Sequence, residues 1–421
     1  HEAQRISDEL TQLVITANQL ETQLPASHYD AWIQLVSHPL KASQAVFELN
    51  RALAMNQLHG EQGRTTTNHW AEQVRYWFRR DAELTAQYHQ LGDGRWNHMM
   101  SQPHIGATYW RNPEANQMPT LAVTEVAPVA DMGVMAEGSA QYWPASDYKA
   151  QQLALDCFYP HGQSHRQIEV FNRGNQPFEF KAHTSADWIE LSHSRGLIET
   201  TQNIQVSINW GKAQKGLNQG EVHIQGTGWG GAKIQVSAMN PATQPKGGFV
   251  EADGYISLEA ASGKVVGNTP QAWWQEIPWH GRTQSSMSAM TALDYQITNI
   301  RQAPYMEYPL FFHSTGEFSL HSIVAPTLDL VPGRGLRFAV ALNDAPPQVI
   351  DILTDNSQQA WEKSVLDSVK ITNSKLQVDK PGTHTLRIYL IDPAVVLQKL
   401  LINTGGLQPS YLGPPQSQKV P

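Results

Sequence analysis

At 421 residues the chain is too long for one compact core and is expected to divide into about two to four domains. Charged residues make up only 16% of it and the formal net charge is −8, so no basic surface is implied and nucleic acid is excluded as an expected partner. The single cysteine, Cys157, rules out an intrachain disulfide and a thiolate metal site, and no run of about 18 apolar residues is present to span a membrane.

From His1 to Leu24 the apolar positions Ile6, Leu10, Leu13, Val14, Ala17 and Leu20 recur at three- and four-residue steps, which predicts an amphipathic helix with that face buried. It opens in helical register with neither a capping residue nor a leader pattern, so residues upstream are expected. Pro25 ends it, Ser27 is the expected N-cap of a second helix, and Pro39 is expected to interrupt or restart that helix. A third segment runs through Phe47, Leu49 and Leu53. A fourth, capped at Thr65–Asn68, buries Trp70, Val74, Trp77, Phe78, Leu84 and Tyr88 and closes at Gly92 and Gly94. Four amphipathic helices joined by short connections predict a helical bundle over residues 1–110.

The stretch Trp96–Trp110, WNHMMSQPHIGATYW, fits neither helix nor strand. Its rings and hydrogen-bonding groups suit either a packed domain junction or one wall of a ligand pocket. Beyond it the pattern turns to short strands. IEVFN, FEFKA, WIEL, IQVSINW, EVHIQG and KIQVSA, spaced by turn residues, predict an immunoglobulin-like β-sandwich over residues 119–243, with Trp188 filling the space between sheets. After the linker NPATQPKGG, a second sandwich of jelly-roll type is predicted over residues 246–421, from YISLEA, LDYQIT, YPLFFHS, FSLHSIV, LRFAVALN, QVIDILT, THTLRIYLI and VVLQKLLIN, with an extended Pro-rich tail.

Motifs for chemistry are few. No G-x-S-x-G is present, and His161 and His165 are separated by loop residues, so no metal is expected there. GTGWGG (residues 226–231) lacks the lysine and helix of a phosphate cradle and reads as a turn. Glu251, Asp253 and Glu259 lie close together in sequence and fit a solvated strand face as well as a carboxylate pair for sugar hydrolysis. No cofactor is expected.

GRWNHMMSQPHIGATYW, together with HPLKASQAVFELN, resembles the helical bundle that follows the catalytic barrel in glycoside hydrolase family 115. FVEADGYISLEA, WWQEIPWHGRTQSSMSAM, YPLFFHSTGEFSLHSIVAPTLDL, GLRFAVALND and DPAVVLQKLLINTGGLQPSYLGPPQS resemble that family's terminal β-sandwich. ADWIELSHSRGLIE and VSINWGKAQKG are similar, more loosely, to the BACON-type insert of some members.

The resemblance implies the later part of an inverting xylan α-1,2-glucuronidase, which removes glucuronic or 4-O-methylglucuronic acid from xylan. The acid and base of that reaction belong to an upstream barrel that does not match any part of this chain, so no residue here carries over as catalytic. The implied partners are xylan or glucuronoxylan, the upstream barrel and a second copy in a homodimer, and the implied location is extracellular or periplasmic. A stand-alone carbohydrate-binding or assembly protein derived from that enzyme's tail, and more remotely an adhesion protein, are the alternatives.

A uronate calls for guanidinium or amide donors, and a sugar ring for aromatic faces. Trp96, Asn97, His98, His104 and Trp110 are therefore the candidate substrate-binding residues of the connector. Arg195 is the candidate on a predicted loop tip, with Arg111 and Arg173 as further guanidinium groups. Trp274, beside Trp273 and Trp279 in a loop flanked by Gly and Pro, is the candidate in the terminal sandwich.

Overall fold

The computed structural model describes residues 2–107, 111–144, 153–228, 230–292, 294–355 and 357–421. Helix α1 (Glu2–Glu21) stops ahead of Pro25, as the periodicity predicts. Its apolar face is not buried as a whole: Ser7 and Ala17 are its buried residues, while Leu13, Ile15 and Leu20 are exposed. Of the predicted stripe, Ile6, Leu10 and Val14 are half-buried and Leu13 and Leu20 face outward, so the helix rests on its neighbour along a narrow strip.

The predicted second and third helices are one continuous run. Helix α2 (Tyr29–Trp32) passes through a π-helical turn, Ile33–Ser37, into α3 (His38–Glu61). Pro39 lacks an N–H and its ring displaces the carbonyl four residues earlier. One extra residue in the turn absorbs both demands, with His38 N–H donating to Ile33 O. Helix α4 (Thr67–Gly94) ends as expected, with Gly92 and Asp93 in the left-handed region. Its start has no side-chain cap; instead Thr67 Oγ1 turns back to donate to Arg64 O at 2.7 Å.

Leu49, Ala52 and Val74 form the centre of the bundle, and Ile105, with Leu121 packed against it, closes that centre from the connector. Two side-chain amides, Asn56 buried and Asn68 exposed, hold the chain as it leaves. Asn56 binds both N–H (2.8 Å) and C=O (2.9 Å) of Ala122, and Asn68 does the same for Thr124 at 3.0 and 2.9 Å. Side chains thus replace a neighbouring strand. Gly60 permits the approach, since a Cβ there would stand 2.6 Å from that of Ala122.

Among the described residues the middle module consists of two five-stranded sheets. One runs Tyr142–Trp143, Met132–Ala136, His165–Asn172, Thr201–Ile208, Ile189–Leu191; the other runs Leu153–Ala154, Ala232–Asn240, Gly216–Gln225, Phe178–Thr184, Arg195–Ile198. Strict alternation, buried then exposed along Phe178–Thr184, turns Phe178, Phe180 and Ala182 inward. Trp188, 7% exposed, packs in the shared core as predicted. The strands that flank GTGWGG, Gly216–Gln225 and Ala232–Asn240, pair antiparallel, and Gly228 and Gly230 stand at positive φ.

The terminal module pairs a seven-stranded with a six-stranded sheet. The larger is centred on Tyr305–Phe312 and Gly382–Leu390, the smaller on Val396–Asn403 and Gly316–Val324, and their inner faces share one core containing Phe249, Tyr308, Phe312 and Phe338. Three local expectations fail. The described part of LDYQIT is not a strand, WWQEI is a strand rather than a loop (Ala272–Ile277), and a helix, α5 (Gln358–Asp367), capped by Ser357 Oγ, follows QVIDILT.

Candidate functional site

The structure makes the connector a brace organised by a residue that the sequence did not single out. Asp81 of α4 is 2% exposed. Its Oδ1 lies 2.8 Å from His104 Nε2, and Asn116 Nδ2 donates to its Oδ2 at 3.4 Å. Asn116 Oδ1 in turn accepts from the backbone N–H of His104 and Ile105 at 2.8 and 3.0 Å. His104 Nδ1 lies 3.1 Å from the carbonyl of Gln102. Both ring partners are acceptors, so the ring is satisfied when both nitrogens carry a proton.

Burial works against that charge, but the hydrogen bonds to Asp81 and to the Gln102 carbonyl outweigh it and raise the His104 pKa above 6.5. A raised folded value means that the stabilisation is complete below the unfolded pKa and is lost as pH rises through the folded one. His38 and His59 of the same helices are held below 6.5 by burial and act in the opposite sense, so the His104 contribution is read as a difference: the melting temperature of the parent should exceed that of His104→Gln by more at pH 6 than at pH 8. A difference that does not change with pH would show that His104 does not titrate in this way.

The other connector candidates are more open. Trp96 is half-buried beside Gly92. Asn97 is exposed and its Oδ1 accepts from His98 N–H at 3.0 Å. His98 is exposed at φ +66°, with its ring 6.0 Å from that of His89. Trp110 lies outside the described residues. Arg195 sits exposed on an edge strand, directly opposite Lys181. Arg173 pairs with Asp131 at 3.6 Å, and Arg111 is exposed.

In the terminal module Trp274 is 3% exposed, and its Nε1 donates to Pro304 O at 3.3 Å. Strand alternation turns this ring into the core, so it offers no face to a sugar, contrary to expectation. The exposed ring is Trp279, at 87%, in the hairpin loop between Ala272–Ile277 and Ser286–Thr291. That loop is fixed at several points. His280 Nδ1 lies 3.0 Å from Ser286 Oγ, Arg282 N–H donates to Gln398 Oε1 at 3.0 Å, and Thr283 Oγ1 lies 2.7 and 2.8 Å from the two oxygens of Glu259. The Arg282 guanidinium stacks 3.9 Å from the Tyr411 ring and donates to the carbonyls of Tyr411 and Asp367.

Beneath the loop, Glu259 meets Lys399 Nζ at 2.9 Å, both nearly inaccessible to solvent. Glu251 accepts from His313 N–H, Ser314 N–H and Ser314 Oγ, and Asp253 pairs with Arg166 at 3.0 Å. Glu251 and Glu259 therefore lie in the interior and Asp253 is half-buried, rather than all three on a solvated strand face, and each is held by its own partners. A recess of about 410 Å³, bordered by Gln296, Arg334 and Arg337, has Asp392 at its wall, and this buried carboxylate accepts from both arginines. No group of three His, Cys, Asp or Glu that could hold a metal occurs among the described residues.

A helical region followed by stacked β-sheets, with aromatic and polar loops at its edges, defines a mixed α plus β chain. Residues 248–416 match the model of the glycosyl hydrolase family 115 C-terminal domain, so the chain carries the C-terminal domain of that family. Among solved structures, a family GH115 4-O-methyl-α-glucuronidase with specificity for decorated arabinogalactans is similar at 14% identity with a TM-score of 0.47. It is matched over 95% of this chain and 33% of its own. The chain thus spans about a third of the length of that relative. The C-terminal family 6 carbohydrate-binding module of a laminarinase from Zobellia galactanivorans (16% identity, TM-score 0.25) covers 35% of this chain and 98% of its own. A family 35 module from Clostridium thermocellum (11%, 0.24) covers 35% and 96%. No curated protein matches.

Proposed function

We propose that this chain is the accessory region of an inverting xylan α-1,2-glucuronidase that removes glucuronic or 4-O-methylglucuronic acid from xylan. The observation that carries this reading is the family match over residues 248–416. In it the helical bundle buttresses a catalytic barrel supplied by upstream polypeptide, and the two sandwich modules serve dimerisation or polymer contact. The acid and base belong to that barrel. The held states of Glu251, Asp253 and Glu259 support the assignment, because a general acid or base needs a free oxygen facing substrate.

Trp96, Asn97, His98 and Arg195 are the exposed or half-buried groups positioned to meet substrate or a second subunit, with Trp110 as a further member from the sequence. His104 contributes by holding the connector. The size of a xylan substrate supports a location outside the cytoplasm, in the extracellular or periplasmic space.

The test is uronic acid release from glucuronoxylan. The purified 421-residue chain should release none, whereas a polypeptide extended upstream through a barrel should release it with inversion. Release by the chain alone would overturn the reading.

A further inference from the structure

We propose that Trp279 is a stacking platform for a neutral pyranose ring in the backbone of a xylan-type polysaccharide, a site that rests on reading this chain as part of a polysaccharide-cleaving enzyme. Two independent observations single out this residue. Its indole is 87% exposed, so it contributes almost nothing to the core that its neighbour Trp274 helps to fill. Its backbone stands at φ +58°, a left-handed conformation that bulky residues rarely adopt and glycine takes freely. Neither packing nor backbone preference accounts for a tryptophan here. A large side chain held in a disfavoured conformation and presented to solvent marks a site whose partner lies outside the chain.

The loop is also built to hold that ring still. Its neighbours His280, Arg282 and Thr283 are tied to Ser286, Gln398 and Glu259, and Arg282 is clamped between the Tyr411 ring and the Asp367 carbonyl. A platform fixed before its ligand arrives loses little conformational entropy on binding.

The surroundings decide the class of ligand. The other exposed residues of the hairpin are Gln275, Glu276, Pro278, His280 and Gln284, with Met290 at its far end opposite Trp273, so the groups around Trp279 itself are mostly amide, imidazole and carboxylate rather than a broad apolar surface. A protein anchor is ordinarily seated in a desolvated apolar centre. An open ring among hydrogen-bonding groups instead matches a sugar, whose C–H face stacks while its hydroxyls meet polar side chains. Within the hairpin the charges of Glu276 and Arg282 cancel, and the Arg282 guanidinium is already engaged by Tyr411 and Asp367, so no open positive charge draws the uronate branches in preference to the uncharged backbone.

Affinity electrophoresis of the full 421-residue chain in gels containing soluble neutral arabinoxylan tests the proposal, with glucuronoxylan in parallel. The parent should be retarded by both polymers. Trp279→Gly should weaken retardation about tenfold or more while leaving the melting temperature unchanged or higher, because glycine relieves the backbone. Trp279→Tyr should retain measurable binding. No retardation of the parent by neutral arabinoxylan, or equal retardation of Trp279→Gly, would overturn the proposal. A marked fall in the melting temperature of Trp279→Gly would do so too, by showing that the ring packs. A small soluble uronosyl-oligosaccharide assayed with the upstream-extended polypeptide reads the glucuronidase reaction separately, so the two readings can fail independently.

Discussion

Replacing Arg64 by alanine should destabilise the protein by about 3–5 kcal/mol, the usual cost of removing one member of a buried pair. Arg64 stands in the turn between α3 and α4 with no exposed surface, yet it is among the largest side chains in the interior. Its guanidinium pairs with Glu169 at 2.7 Å on the middle sheet, lies 3.8 Å over the Phe171 ring, and donates from Nε to Gln62 Oε1 at 2.6 Å. Removal leaves a cavity against Phe171 and strips the carboxylate of its partner. Lysine would restore the charge but neither the planar stack nor the fork of donors, so Arg64→Lys should recover only part of the loss. Urea unfolding followed by far-ultraviolet circular dichroism measures the order parent, Lys, Ala; equal stability of Ala and parent would show that the contact does not hold the helical region to the middle module.

A comparable effect is expected at Lys399→Met. This lysine is 2% exposed in the centre of strand Val396–Asn403 and neutralises Glu259, whose other oxygen contacts go to Thr283. Methionine fills nearly the same space but leaves the Glu259 charge unpaired in the interior, at a cost of about 3–5 kcal/mol. Adding Glu259→Gln removes that charge while keeping an acceptor for Thr283, so the double variant should regain more than half of the loss. That recovery is a coupling that two independent sites would not show. Additive losses in denaturant titrations would mean that the lysine acts through packing alone. Since Thr283 belongs to the loop that presents Trp279, the single variant should also loosen that loop.

Several features were legible in the residues because they are local. Helical periodicity located α1, α3 and α4, Gly92 marked the end of α4, and alternation identified most strands of both sandwiches. Trp188 read as core and proved so. The motifs quoted for the terminal module lie within or beside residues 248–416, where the family match falls.

The failures share a cause. Trp274 and Trp279 sit five residues apart in one aromatic-rich stretch, and composition does not distinguish them. Strand pairing sends the first ring into the core, whereas the turn throws the second outward. Glu251, Asp253 and Glu259 fitted a solvated face and a carboxylate pair equally well because their partners, among them Ser314, Arg166 and Lys399, are distant in sequence. Asp81 gave no signal of its own, since its role appears only when His104 and Asn116 fold back upon it.

The sequence by itself determined most element types, the helical-then-strand order and family kinship, because periodicity, turn residues and long motifs are written between near neighbours along the chain. Tertiary structure alone decided which charged and aromatic side chains are buried and which face water. That outcome depends on which distant segment supplies the covering surface or the opposite charge, and local patterning does not encode it.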